Sequence, residues 1–193
     1  ADGKFPGRSA GDPLIHGYSE LSPFARARLK FSGVSTFDGR LGYTRRDGRG
    51  GTGKTSFGGL TGNVGYERQL SGATLLRLDL GRNVYSADSV ASNYVSDTNV
   101  GANLRWIPTA KIQVGLRGSR HWRNYQAAGG SGQRDVVDQL DANLSYAPAS
   151  FATLNFNLGI ERRGSNLAWA RYNAWYGGVV LRLSWDARNA FER

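Results

Sequence analysis

The stretch from Gly62 to Tyr85, GNVGYERQLSGATLLRLDLGRNVY, constrains the chain more than any other. Leu60, Val64 and Tyr66 share one parity, and Thr61, Asn63 and Glu67 share the other. After a turn at Gln69-Leu70-Ser71-Gly72, Leu76, Leu78, Leu80 and Val84 alternate with Arg77, Asp79 and Asn83. Period-two alternation along both arms describes a hairpin with one apolar and one polar face. Each arm runs to about a dozen residues. A soluble strand averages about 5–6 residues, whereas a strand tilted across a bilayer needs about 9–11. Arm length alone therefore points to strands that cross a membrane.

Composition agrees. No run of about 18 apolar residues is present, which excludes a transmembrane helix. The mean hydropathy of −0.46 does not count against a barrel, because only alternate residues of a barrel strand face lipid. The 27 glycines suit a chain of strands and turns, and the absence of cysteine removes disulfides, thiolate catalysis and cysteine-bound zinc. A net charge of +10 favours anionic partners such as nucleic acid, lipopolysaccharide or acidic polysaccharide. No signal peptide is visible at Ala1, which a mature secreted chain would have lost.

Along the chain, residues 1–14 read as an extracellular loop, 15–186 as β-barrel strands and loops, and 187–193 as a C-terminal tail. Strands are predicted at 15–31, 36–46, 56–69, 73–85, 94–107, 111–125, 136–146, 151–163 and 169–185. Tight turns near 33–35, 70–72, 108–110 and 147–150 recur about every 38 residues and mark a repeat of hairpins. Longer polar loops near 47–54, 86–93, 126–134 and 164–167 separate them. Short turns on one side and long loops on the other are the periplasmic and extracellular ends of an outer-membrane antiparallel up-and-down barrel. A soluble β-sandwich can also alternate its connections, but with shorter strands. Nine visible strands is an odd number, and single-chain bacterial barrels close on an even one. The expectation is therefore part of a larger even-stranded barrel.

Several phrases resemble the EpsL-like β-barrel family of exopolysaccharide gene clusters: DGKFPGR, LGYTRRD, SFGGLTGNVGYERQLSGATLLRLDLGR and LRWIPTAKIQVGLRGSRHWRNY. The family's turn reads Trp-x-Pro-Thr-Gly-Lys; here Trp106-Ile107-Pro108-Thr109-Ala110-Lys111 has Ala for Gly. The family's final strand ends in an aromatic, whereas Phe191 is followed by Glu192-Arg193. The resemblance covers most of residues 1–185. It implies an integral outer-membrane protein of a Gram-negative cell, a channel supporting export of an anionic exopolysaccharide.

The polar parity carries Arg26, Arg28, Lys30, Arg40, Arg77, Arg105, Lys111, Arg117, Arg163 and Arg182 as lumen-lining basic residues, against Glu20, Asp38, Glu67, Asp79, Asp97, Asp141 and Glu161. So many charges are not kept unpaired and dry. Either the lumen holds water, as in a channel, or the charges pair within a plugged wall. In the second case the chain would be a structural sheath or anchor holding another polypeptide component in the membrane. Phe31, Trp106, Tyr146 and Trp185 are expected in a periplasmic aromatic girdle, and Tyr43, Tyr94 and Trp122 in an outer one. Arg45, Arg82, Arg120 and Arg162 break the alternation on the apolar parity near the long loops, where they would face lipopolysaccharide phosphates.

No catalytic constellation is legible. His16 and His121 are the only imidazoles, and neither lies beside a recognisable nucleophile pattern, so an enzyme is not expected. Gly50-Gly51-Thr52-Gly53-Lys54-Thr55 lacks the strand-to-helix context of a phosphate-binding loop and reads as a linker. No cofactor or metal is expected, and the basic residues alternate with apolar ones instead of clustering for nucleic acid.

Overall fold

The computed structural model describes residues 2–4, 17–49, 56–86, 94–126 and 132–184. They form a single antiparallel sheet of strands β1 (Asp2–Lys4), β2 (Gly17–Leu21), β3 (Phe24–Ser32), β4 (Ser35–Arg49), β5 (Phe57–Ser71), β6 (Thr74–Ser86), β7 (Tyr94–Thr109), β8 (Ile112–Gln126), β9 (Arg134–Ala149), β10 (Ala152–Ser165) and β11 (Tyr172–Leu183). Neighbours in sequence are neighbours in the sheet, an up-and-down order from β1 to β11. A one-turn 3-10 helix, Ala168–Ala170, occupies the start of what reads in sequence as the last strand.

The nine long strands of the sequence reading are present, with β2 and β3 forming the first. Both pair with β4, and Leu21↔Arg45 and Phe24↔Gly42 keep one register across the gap. The break at Ser22-Pro23 reflects the missing proline N–H, and Tyr43 N still donates to Pro23 O at 3.1 Å. Residues 1–14 are not all loop: β1 pairs antiparallel with β2 through Asp2↔Ser19, Gly3↔Tyr18 and Lys4↔Gly17. With β1 the sheet has an even number of strand positions, so β1 and β11 at its two ends run in opposite directions.

The first tight turn, at 33–34, lies where the sequence places it; the other three sit later than the sequence suggests, at 72–73, 110–111 and 150–151. Each is preceded by a one-residue register shift on the strand entering it: between Lys30 and Ser32, Gln69 and Ser71, Trp106 and Thr109, and opposite Ala152/Leu154 at Ala147-Pro148. Pro108 and Pro148, read in sequence as turn residues, occupy two of these bulges, where a proline costs no ladder bond. Three of the four bulged ends are tied to the preceding turn: Gln69 N donates to Val34 O, Ile107 N to Ala73 O and Ala147 N to Lys111 O, all at 2.8 Å.

The burial pattern is inside out. On the apolar face Leu41, Leu60, Leu158 and Val179 are 61%, 68%, 59% and 62% exposed, and nothing among the described residues covers them. Charged residues on the polar face, by contrast, are buried: Arg46, Asp97 and Asp135. A water-soluble fold does not leave an apolar surface of this extent open. The apolar face is also oblique to the strands. One cross-strand row runs Ala27, Gly39, Val64, Leu80, Val100 and then Arg120, Asp138, Arg162, Asn173. A row that starts apolar and ends charged means the apolar band crosses the strands at a slant, the geometry of strands tilted against a bilayer.

Candidate functional site: the polar face

The hairpins place every even residue of β3 and β4 and every odd residue of β5 to β10 on the polar face. Its two ends differ. At the loop end the charges are paired and buried. Arg46 Nε donates to Glu20 at 2.8 Å, and its guanidinium lies 4.3 Å from the Tyr18 ring centre. Asp97 accepts from His121 Nδ1 at 3.0 Å and lies 3.6 Å from Arg123. Asp135, whose side chain is fully buried, accepts from Arg163 Nε and from Gln133 Nε2, both at 2.9 Å. Arg163 also reaches the Tyr125 hydroxyl at 3.3 Å, and Tyr125 packs with Val95 in the small buried cluster at this end.

Nearer the tight turns the basic residues are mostly unpaired. Arg77 is the exception: it contacts Asp38 at 3.1 Å, Asp79 at 2.9 Å and Glu67 at 4.0 Å. Its path crosses β5 at Gly65, where a Cβ would come within 2.3 Å of Nη2, so the glycine is what lets one arginine gather carboxylates from three strands. Arg26, Arg28, Lys30, Arg105, Arg117 and Arg182 have no ion pair among the described residues. Arg26 lies directly opposite Arg40, a like-charge cross-strand pair that costs stability unless water or an anion separates the two. Arg28 lies opposite Asp38, which is already engaged by Arg77. Arg40 stacks 3.8 Å above the Phe24 ring.

Two adjoining depressions result. One of about 380 Å³ is lined by Arg26, Arg28, Asp38, Arg40, Asn63 and Arg77. The other, of about 340 Å³, includes Arg77, Asp79, Asn99, Arg105, Arg117 and His121. They share Arg77 and form an open, cation-rich strip along the face, suited to attracting anions by long-range field and direct hydrogen bonds.

Nine of the ten predicted lumen-lining cations occupy the polar face. Lys111 does not: it falls in the turn, and its ammonium donates to Pro148 O at 3.2 Å. Arg163 is on the face but belongs to the buried network. Sequence reading missed Arg46, Arg123, Gln133 and Asp135. Parity would place Arg46, Arg123 and Asp135 correctly, but all four lie where the strands had been taken to end.

Phe31, Tyr43, Trp106, Trp122 and Tyr146 are exposed on the apolar face as a girdle requires. Tyr94 is not. It is buried edge-on against Phe57 at 5.7 Å, and its hydroxyl donates to Ser56 O at 3.3 Å. Its aromatic contact is made within the protein and not with lipid. Trp185 and His16 lie outside the described residues. Arg45, Arg82, Arg120 and Arg162 are on the apolar face, each eight to ten residues from the turn end of its strand. Arg45 pairs with Asp47 and Arg120 with Asp138. Arg82 and Arg162 have no ion pair among the described residues.

Neither a protein-family model nor a curated protein sequence matches the chain. Among solved structures it is similar to one described as the NanC porin in a rhombohedral crystal form, at 14% identity and a TM-score of 0.44, over 84% of this chain and 78% of that one. A likeness this distant carries no functional argument.

Proposed function

We propose that the chain is the wall of an outer-membrane β-barrel, with the apolar face to lipid and the polar face to an aqueous lumen that passes anionic solutes. The observation that carries this reading is the inside-out burial, leucines exposed and charges buried. The two sheet edges left free among the described residues, β1 with β3 on one side and β11 on the other, support closure, because in hydrocarbon every ladder N–H and C=O must find a partner. The unpaired arginines nearer the tight turns support anion preference. The export of an anionic exopolysaccharide is the finer form of this proposal and rests on the EpsL-like sequence resemblance alone.

A second reading is favoured by a specific observation. The polar face at the loop end is buried and paired around Asp135 and Asp97, as the wall of a closed or occupied barrel would be. A sheath around another polypeptide would have this feature. Planar-bilayer recording separates the two. Channel function gives stable conductance with anions preferred, and replacing Arg26, Arg105 and Arg117 together with Gln reduces that preference while assembly persists. Silent insertion, or selectivity unchanged by the triple substitution, refutes the channel and leaves the sheath.

A further inference from the structure

On the apolar face, at its loop side, lies a shallow cavity of about 610 Å³ that neither the lumen nor the girdles account for. Two cross-strand rows build it. The row nearer the turns is Gly118, Leu140, Ile160 and Trp175. The next row toward the loops is Arg120, Asp138, Arg162 and Asn173. The backbone between them is the floor, and Gly118 opens one end, since a Cβ there would meet only Leu140 Cδ1, at 3.9 Å. Trp175 stands at the other end, 77% exposed.

The charge along the polar rim is uneven. Arg120 holds both oxygens of Asp138, at 2.5 and 2.9 Å. Arg162 lies opposite the same aspartate on the next strand, with no hydrogen bond or ion pair of its own among the described residues. Two guanidinium groups thus share one carboxylate above an apolar furrow, leaving the rim with a net positive charge one row short of the girdle residue Trp122. An amphiphile with an acyl chain and an anionic head complements both parts.

We propose that this furrow is a lipopolysaccharide site: an acyl chain lies along Gly118, Leu140, Ile160 and Trp175, and a glucosamine phosphate accepts hydrogen bonds from Arg162. Guanidinium suits this role because it meets phosphate oxygens through paired N–H donors. The choice of lipopolysaccharide over a glycerophospholipid rests on the membrane reading above, in which the loop side faces the outer leaflet.

The test uses the full chain reconstituted into phosphatidylcholine vesicles, alone or doped with phosphatidylglycerol or with lipopolysaccharide. Heat-induced unfolding and the lipid retained after detergent extraction are measured. Wild type should unfold at a higher temperature with lipopolysaccharide than with either phospholipid. Arg162→Gln should lower lipopolysaccharide retention about tenfold, the loss of one charge-assisted contact. Gly118→Phe should abolish retention and leave unfolding in phosphatidylcholine unchanged, because it fills open space. Equal stabilisation by phosphatidylglycerol, or retention unaffected in both variants, overturns the site and leaves the barrel intact. Failure of wild type to insert into any vesicle overturns the membrane reading and the site together.

Discussion

Removing Arg163 measures how dry the loop end of the polar face is. The Asp135 side chain is fully buried and takes hydrogen bonds from Arg163 and Gln133, while the Arg163 side chain keeps 21% of its surface exposed. Arg163→Met keeps most of the side-chain volume but leaves the carboxylate with one neutral donor. Breaking a buried pair by removing one partner costs about 3–5 kcal/mol, and the residual exposure of Arg163 places this case near the low end, at about 3 kcal/mol. Replacing both partners, Asp135→Leu with Arg163→Met, removes the orphaned charge and should return most of that loss, because a buried ion pair and a well-packed apolar pair are often close in free energy. Urea unfolding of the refolded protein in lipid, followed by tryptophan fluorescence and arranged as a double-mutant cycle, gives the coupling directly. A loss under about 1 kcal/mol for Arg163→Met, or a double variant no better than the worse single one, would show that water reaches Asp135 and that the loop end is not a sealed wall.

Three further outcomes follow from particular residues. Arg45→Gln should change stability by no more than about 0.5 kcal/mol in the same assay, since its pair with Asp47 is largely solvated. Gly62→Ala should impair assembly, judged by loss of the heat-modifiable band, because Gly62 has φ +147° and a Cβ would come within 2.0 Å of Arg40 O; Gly178→Ala, with open space at its Cβ, should assemble normally. Cysteine placed at Gly72 in a tight turn should resist a membrane-impermeant reagent on intact cells, while cysteine at Ala168 should react; the reverse result inverts the orientation.

The sequence by itself determined the strands, because period-two alternation sustained along a dozen residues has no other economical solution. It likewise assigned the faces: once Leu76, Leu78 and Leu80 share a parity, Arg77 and Asp79 must share the other. Element ends escaped it for a physical reason. Pro108 and Pro148 look like turn residues, yet a bulge accepts proline as readily as a turn does, so the turns moved to Ala110-Lys111 and Ser150-Phe151 and carried Lys111 off the polar face. Gln133, taken as loop, stays beside β9 because Tyr125 N of the neighbouring hairpin donates to its carbonyl and its own amide donates to Asp135. Pairing was decided by the tertiary structure alone. Which cations are neutralised depends on register between strands far apart in sequence: Arg77 collects Asp38 across Gly65, Arg163 seals Asp135, and Arg26 lies opposite another cation, Arg40. Alternation places a charge on a face, but only the alignment of neighbouring strands brings it a counter-charge or leaves it open to a ligand.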